Sequence, residues 1–172
     1  YGEMTNDYVL VNTSEDELDY PDGNNNKYCQ YDGNAGIKMN LLTRLMFSVR
    51  ERSLKMLVSG NINSDSKILI NRNIENRVKE IMPYLDYDKD PYMITVDGHL
   101  YWIIDAYTAT NRYPYSEPYN EETDVNYVRN SIKVVIDAYT GETNYYIVDQ
   151  NDPIAKTFQK IYPKLFKDFE EM

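Results

Sequence analysis

From Tyr92 to Tyr107 apolar and polar side chains alternate on either side of Asp97-Gly98, and this run constrains the fold more than any other. Side chains in a strand point to opposite faces in turn, so a period of two around an Asp-Gly pair specifies a β-hairpin. On the outgoing strand Tyr92, Ile94 and Val96 alternate with Met93 and Thr95. On the return strand Leu100, Trp102, Ile104 and Ala106 share one face, and Tyr101, Ile103 and Tyr107 the other. A second hairpin pairs Ile132–Ala138 with Asn144–Val148 across Thr140-Gly141.

Helices surround these hairpins. Met39, Leu42, Met46 and Val49 recur at helical spacing, and Leu41 and Leu45 widen that stripe into a candidate core face. Ser53 reads as the N-cap of a short helix, Leu54 to Val58, closed by Gly60. Asn73 caps a helix whose Ile74, Val78, Ile81 and Met82 share a side, and Pro83 ends it. Asp152-Pro153 is an N-cap with proline in the first helical position, ahead of Ile154, Phe158 and Ile161. Near the start, Tyr8-Val9-Leu10-Val11 is a short strand, and Pro21-Asp22-Gly23-Asn24-Asn25-Asn26 is turn chemistry. Hairpins interleaved with short amphipathic helices give an α+β fold built on an antiparallel sheet. Residues 1–172 are expected to form a single soluble domain cut from a larger protein, with an acidic Tyr/Pro-rich loop at about 111–126.

Ile104-Asp105-Ala106-Tyr107-Thr108 is echoed by Ile136-Asp137-Ala138-Tyr139-Thr140. The echo fits two similar strand-to-turn corners, or a duplicated hairpin unit.

The net charge of −10 repels phosphate backbones and disfavours nucleic acid as a partner. One basic segment interrupts it, where Lys38, Arg44, Arg50, Arg52 and Lys55 face only Glu51. That segment reads as a solvated helix face, with docking to an acidic partner or lipid head groups as the alternative. Cys29 is the single cysteine, so no internal disulfide forms.

Few residues suggest chemistry. Asp86, Asp88 and Asp90 place carboxylates at alternate positions, which suits calcium. Pro91 counts against an EF-hand, since it stands where that loop needs glycine at positive φ. Asp19 to Asn26 is a weaker calcium candidate. His99, the sole histidine, reads as a hairpin-surface residue, and no serine sits in a Gly-x-Ser-x-Gly elbow. No other cofactor is expected. The clearest excess is tyrosine, 18 residues against four phenylalanines and one tryptophan. Tyrosine combines rigid contact area with a polar tip, which suits recognition. The run from Arg112 to Tyr119 supplies the candidate contact residues Arg112, Tyr113, Tyr115 and Tyr119, stiffened by Pro114 and Pro118. They could stack on a sugar or a partner, or cover the open face of the sheet.

The runs Asp97-Gly98-His99-Leu100-Tyr101-Trp102-Ile103-Ile104-Asp105-Ala106-Tyr107-Thr108 and Arg112-Tyr113-Pro114-Tyr115-Ser116 resemble uncharacterised protein family 0182. Asn126-Tyr127-Val128-Arg129-Asn130-Ser131-Ile132-Lys133 and Arg44-Leu45-Met46-Phe47 extend the likeness over nearly the whole chain. Glu51-Arg52-Ser53 departs from the Phe-Gly-Asp of the family pattern. The resemblance implies a large bacterial integral membrane protein with several N-terminal spanning helices, and a place for this segment in its extracytoplasmic portion. It implies no catalytic residues. The expected function is therefore an extracytoplasmic binding or scaffolding domain, whose partners are the remainder of its own membrane protein and an envelope protein or glycan. The alternative is a carboxylate-based hydrolase module acting on cell-envelope material.

Overall fold

A computed structural model of the chain describes residue 4, residues 7–119 and residues 122–172. The expected 1–172 domain gathers by its contacts into two compact units, the first ending at Arg72 and the second running Asn73–Met172. The architecture is α+β, as the alternating runs and helical stripes imply.

The first unit holds β1 (Val9–Val11), β2 (Glu17–Asp22), β3 (Asn25–Cys29), β4 (Ile37–Lys38), α1 (Leu41–Arg50), α2 (Lys55–Val58) and β5 (Lys67–Leu69). β5 lies between β1 and β4 in an antiparallel sheet. β2 and β3 form a separate hairpin whose turn passes through Gly23 at φ 61°. The core is small: Met39, Phe47, Met56, Ile62 and Ile68 are buried together, with Tyr8, Leu10 and Ile70 against them. Asn40 caps α1 by accepting from Thr43 N at 2.9 Å.

Of the stripe expected to face the core only Met39 does so; the rest does the opposite. α1 buries Phe47 and Ser48 and half-buries Thr43 and Arg44, while Leu41, Leu42, Leu45, Met46 and Val49 point to solvent. Leu41 is 77% exposed, Val49 72%, and Val58 on the neighbouring α2 79%. Each such side chain left in water forgoes ~1.5–3 kcal/mol of transfer free energy. The inward side of α1 is polar because Arg44 works there. Its Nε donates to Met56 O at 3.0 Å, and its Nη2 to Leu57 O at 2.9 Å and Ser59 O at 2.7 Å. Those carbonyls end α2, so the guanidinium satisfies groups that a four-residue helix leaves bare. Ser53 is not the cap of α2. Leu54 occupies that position without a side-chain bond, and Ser53 N donates instead to Ser48 O at the end of α1.

The second unit holds α3 (Ile74–Ile81), β6 (Asp86–Tyr87), β7 (Tyr92–Val96), β8 (His99–Thr110), β9 (Tyr127–Asp137), β10 (Thr143–Ile147), α4 (Pro153–Ile161), β11 (Phe166–Asp168) and a 3-10 turn, Phe169–Glu171. Its sheet runs β11-β10-β9-β8-β6, with β7 also paired to β8. Ile104, Ala106, Ile132, Val134, Ile136, Tyr145 and Ile147 pack with Ile74, Val78 and Met82 of α3 and Ala155 of α4. Trp102 is half-buried against the same cluster. Both expected caps form: Asn73 accepts from Asn76 N at 3.0 Å and Asp152 from Ile154 N at 2.9 Å.

Among the described residues one strand pairing is parallel. β11 joins β10 in parallel register because α4 carries the chain back across the sheet before β11 begins. The two echoed pentapeptides take different roles. Asp105 lies within β8 and pairs with Lys133, whereas Asp137 ends β9 and organises a turn. Among the described residues no helix is long and apolar enough to cross a membrane.

Candidate functional site

The tyrosine-rich loop fills the interval between β8 and β9, residues 111–126. Asn126 holds it in shape. Its side-chain oxygen accepts from Tyr113 N at 3.0 Å, and its Nδ2 donates to Tyr113 O and Ser116 O, both at 2.9 Å. Ser116 Oγ returns a bond to Asn126 O at 2.8 Å. Between these anchors Pro114 is followed by Tyr115 at φ 61°, the pattern of a type II turn, where glycine is the usual occupant. A tyrosine there carries backbone strain of ~1–2 kcal/mol. Its ring gains no packing in return, being fully exposed. Arg112, Tyr113 and Tyr119 are exposed as well, so all four expected contact residues lie on the surface of one loop. Tyr115→Gly is expected to leave the melting temperature unchanged or raise it by roughly 1–3 °C, because the strain goes and no contact is lost. Differential scanning calorimetry checks this; a drop of several degrees would mean that the ring is structural.

The loop is tied to the interior through tyrosine as well. The Tyr113 ring stacks on Tyr127 with centroids 4.7 Å apart. Tyr127 Oη donates to Asp152 Oδ1 at 2.9 Å, and Thr108 Oγ1 donates to Asp152 Oδ2. Asp152 is wholly buried. Burial alone would raise its carboxyl pKa, but the surrounding hydroxyl and amide donors outweigh that and hold it below the ordinary value. The same side chain thus caps α4, pins β8 and carries the base of the loop.

Two further tyrosines are structural. Tyr145 Oη donates to Val78 O at 3.0 Å, and Tyr87 Oη lies 2.7 Å from Met82 O and 2.9 Å from Val78 O. Together they satisfy carbonyls at the end of α3. Burial pushes the Tyr145 phenol up to about 12 and the Tyr87 phenol higher still, so neither ionises near neutral pH.

The residues considered for metals do not assemble: among the described residues no three His, Cys, Asp or Glu side chains gather as a metal set. Asp86 is exposed on β6, and Asp88 Oδ1 accepts from Asp90 N at 3.1 Å in a local turn. The Asp19–Asn26 stretch is part of the β2–β3 hairpin. A groove of about 300 Å³ beside β1 has Glu15, Asp16 and Glu17 on its wall. Glu15 and Glu17 serve the loop there, accepting from Asn61 Nδ2 and Asn12 N.

His99 Nε2 lies 2.9 Å from Asp137 Oδ2, between the rings of Tyr101 and Tyr139. Asp137 Oδ1 accepts from Tyr139 N and Thr140 N at 2.7 and 2.8 Å. Burial would raise the Asp137 pKa, but these donors and His99 bring it below the ordinary 3.8. A carboxyl with a depressed folded value stabilises fully above its unfolded pKa and loses that contribution as pH falls through the folded one. Stability is therefore expected to decline below about pH 4, and Asp137→Asn to flatten that decline. Urea titrations at pH 3 and pH 7 check this; equal pH dependence in both proteins would contradict it.

The match to the uncharacterised protein family UPF0182 covers residues 1–172. The chain belongs to UPF0182. A UPF0182 protein of Clostridium acetobutylicum is 56% identical over 172 residues, all of this chain and 19% of the relative. UPF0182 proteins of Clostridium botulinum strain Loch Maree and Clostridium tetani are 55% and 50% identical, over 168 and 172 residues. The C. botulinum alignment takes in 98% of this chain and 18% of the relative, and the C. tetani alignment 100% and 19%. The UPF0182 chain thus spans about a fifth of the length of these curated relatives. No solved structure matches it.

Within this UPF0182 segment the sequence points to the exposed tyrosines but not to what holds them. Asn126, Tyr127 and Asp152 bear the loop, yet they sit at or beyond its C-terminal end and show no spacing that links them to Tyr113 or Tyr115.

Proposed function

We propose that this UPF0182 segment is a binding or scaffolding domain on the extracytoplasmic side of a bacterial membrane protein, and that the 112–119 loop is its contact surface. The observation that carries the reading is Tyr115. A strained backbone, fixed by Asn126, holds a large aromatic side chain wholly in solvent. Strain retained at a surface position with no packing return marks a residue kept for something outside the fold. Arg112, Tyr113 and Tyr119 around it offer guanidinium and phenol groups suited to an envelope protein or glycan. The placement outside the membrane rests on what the resemblance read from the sequence implies, a large membrane protein with this segment in its extracytoplasmic portion.

Cys29, exposed on β3, reports the side of the membrane without any substitution. Intact cells carrying the full-length protein are treated with a membrane-impermeant maleimide, and the modified peptide is mapped by mass spectrometry. Label at Cys29 in intact cells is the expected result. Label that requires breaking the cells would overturn the placement. For the contact itself, Tyr115→Gly should abolish loop-dependent binding in a protein that remains folded.

A further inference from the structure

α1 turns its more apolar side away from the unit that it belongs to. Leu41, Leu42, Leu45, Met46 and Val49 lie one helical turn apart in two rows, all exposed, and Leu54 and Val58 add to them on α2. An apolar surface of this kind on a folded unit is normally an interface. We infer that the α1–α2 face packs against the part of the same polypeptide outside these 172 residues, on an apolar element bordered by carboxylates.

Two observations select that occupant. First, the chain covers 19% of its C. acetobutylicum relative, so in a protein of that length most of the polypeptide is available to cover this face. Second, the border of the face is basic. Lys38, Arg50, Arg52 and Lys55 are exposed around it, and Glu51 is the one acid between residues 38 and 58 of a chain whose net charge is −10. Carboxylates complement that border. A second copy related by a two-fold axis would set the basic border against itself. The inference concerns a different surface from the tyrosine loop, and it holds on either side of the membrane.

Cysteine accessibility in the purified full-length protein tests it. Leu42→Cys and Val49→Cys are reacted with a polar maleimide, and the label at each position is measured by peptide mass spectrometry. Both positions are expected to react at least about tenfold more slowly than in the same protein unfolded in detergent, as docked surfaces open only transiently. Reversing the border with Arg50→Glu, Arg52→Glu and Lys55→Glu should speed the reaction at position 42 severalfold. Reversing Lys156, Lys160 and Lys164 should not. Equal rates in folded and unfolded protein would overturn the inference. So would quenching of a bimane label at position 42 by brominated lipid in vesicles, which would make the occupant a bilayer. A disulfide-linked dimer formed through Leu45→Cys would overturn it in favour of a second copy.

Discussion

Asp152→Ala is expected to destabilise the second unit by about 2–4 kcal/mol, the sum of a lost helix cap and one orphaned buried hydroxyl. The carboxylate accepts from Thr108 Oγ1, Tyr127 Oη and Ile154 N; Thr108 is wholly buried like Asp152 and is stranded once the carboxylate is removed, whereas Tyr127 and Ile154 are half-buried. The cap alone is worth ~1 kcal/mol, and each stranded buried donor costs ~1–3 kcal/mol. For a chain of this length the melting temperature should fall by roughly 10 °C. Asp152→Asn keeps the shape and one acceptor, and should cost about half as much. The pH response has a definite sign. The folded carboxyl pKa lies below its ordinary 3.8, so the stabilisation is complete at neutral pH and disappears as pH falls through the folded value. Calorimetry of the wild type and both variants at pH 7 and pH 2 measures each effect, the wild type losing its advantage over Asp152→Ala at the lower pH. A loss under 1 kcal/mol for Asp152→Ala would show that the network is not a support. Because Tyr127 also stacks on Tyr113, the alanine variant should loosen the loop, visible as faster proteolysis within residues 111–126.

Tyr145→Ala should cost about 3–5 kcal/mol, and Tyr145→Phe about 1–2 kcal/mol. The ring is fully buried among Ile104, Val134 and Phe166 in the core beneath α3, so its removal leaves a cavity. Phenylalanine fills that space and deletes the bond to Val78 O and the 3.4 Å contact with the Tyr87 hydroxyl. The Tyr87 phenol lies on the same carbonyl, so Tyr87→Phe combined with Tyr145→Phe should cost more than the two single changes added together. Urea denaturation of the four variants measures the difference. Equal losses for alanine and phenylalanine at position 145 would contradict the packing account.

These two networks mark where sequence reading stops. The hairpins were legible because Asp97-Gly98 and the alternation around it have a local cause. The caps Asn73 and Asp152 were legible for the same reason. The side of α1 that faces inward was not. Periodicity finds an apolar stripe but does not say which surface will cover it, and here the unit's own core takes Phe47 while Arg44 binds α2. β11 is not legible because three residues carry no alternation, and their pairing depends on where α4 delivers them. At the candidate site the exposed tyrosines stood out by number. Asn126, whose three side-chain bonds shape the loop, looked like any other turn asparagine.

The central claim is that the 112–119 loop presents Tyr115 to a partner. The most direct test places a photoreactive benzoylphenylalanine at position 115 of the full-length protein in living cells, with Lys79 on α3 as an exposed control position. The account predicts a discrete cross-linked product from position 115 that is absent from position 79 and lost when Asn126→Ala releases the loop. Cross-linking from 115 no greater than from 79 would contradict it.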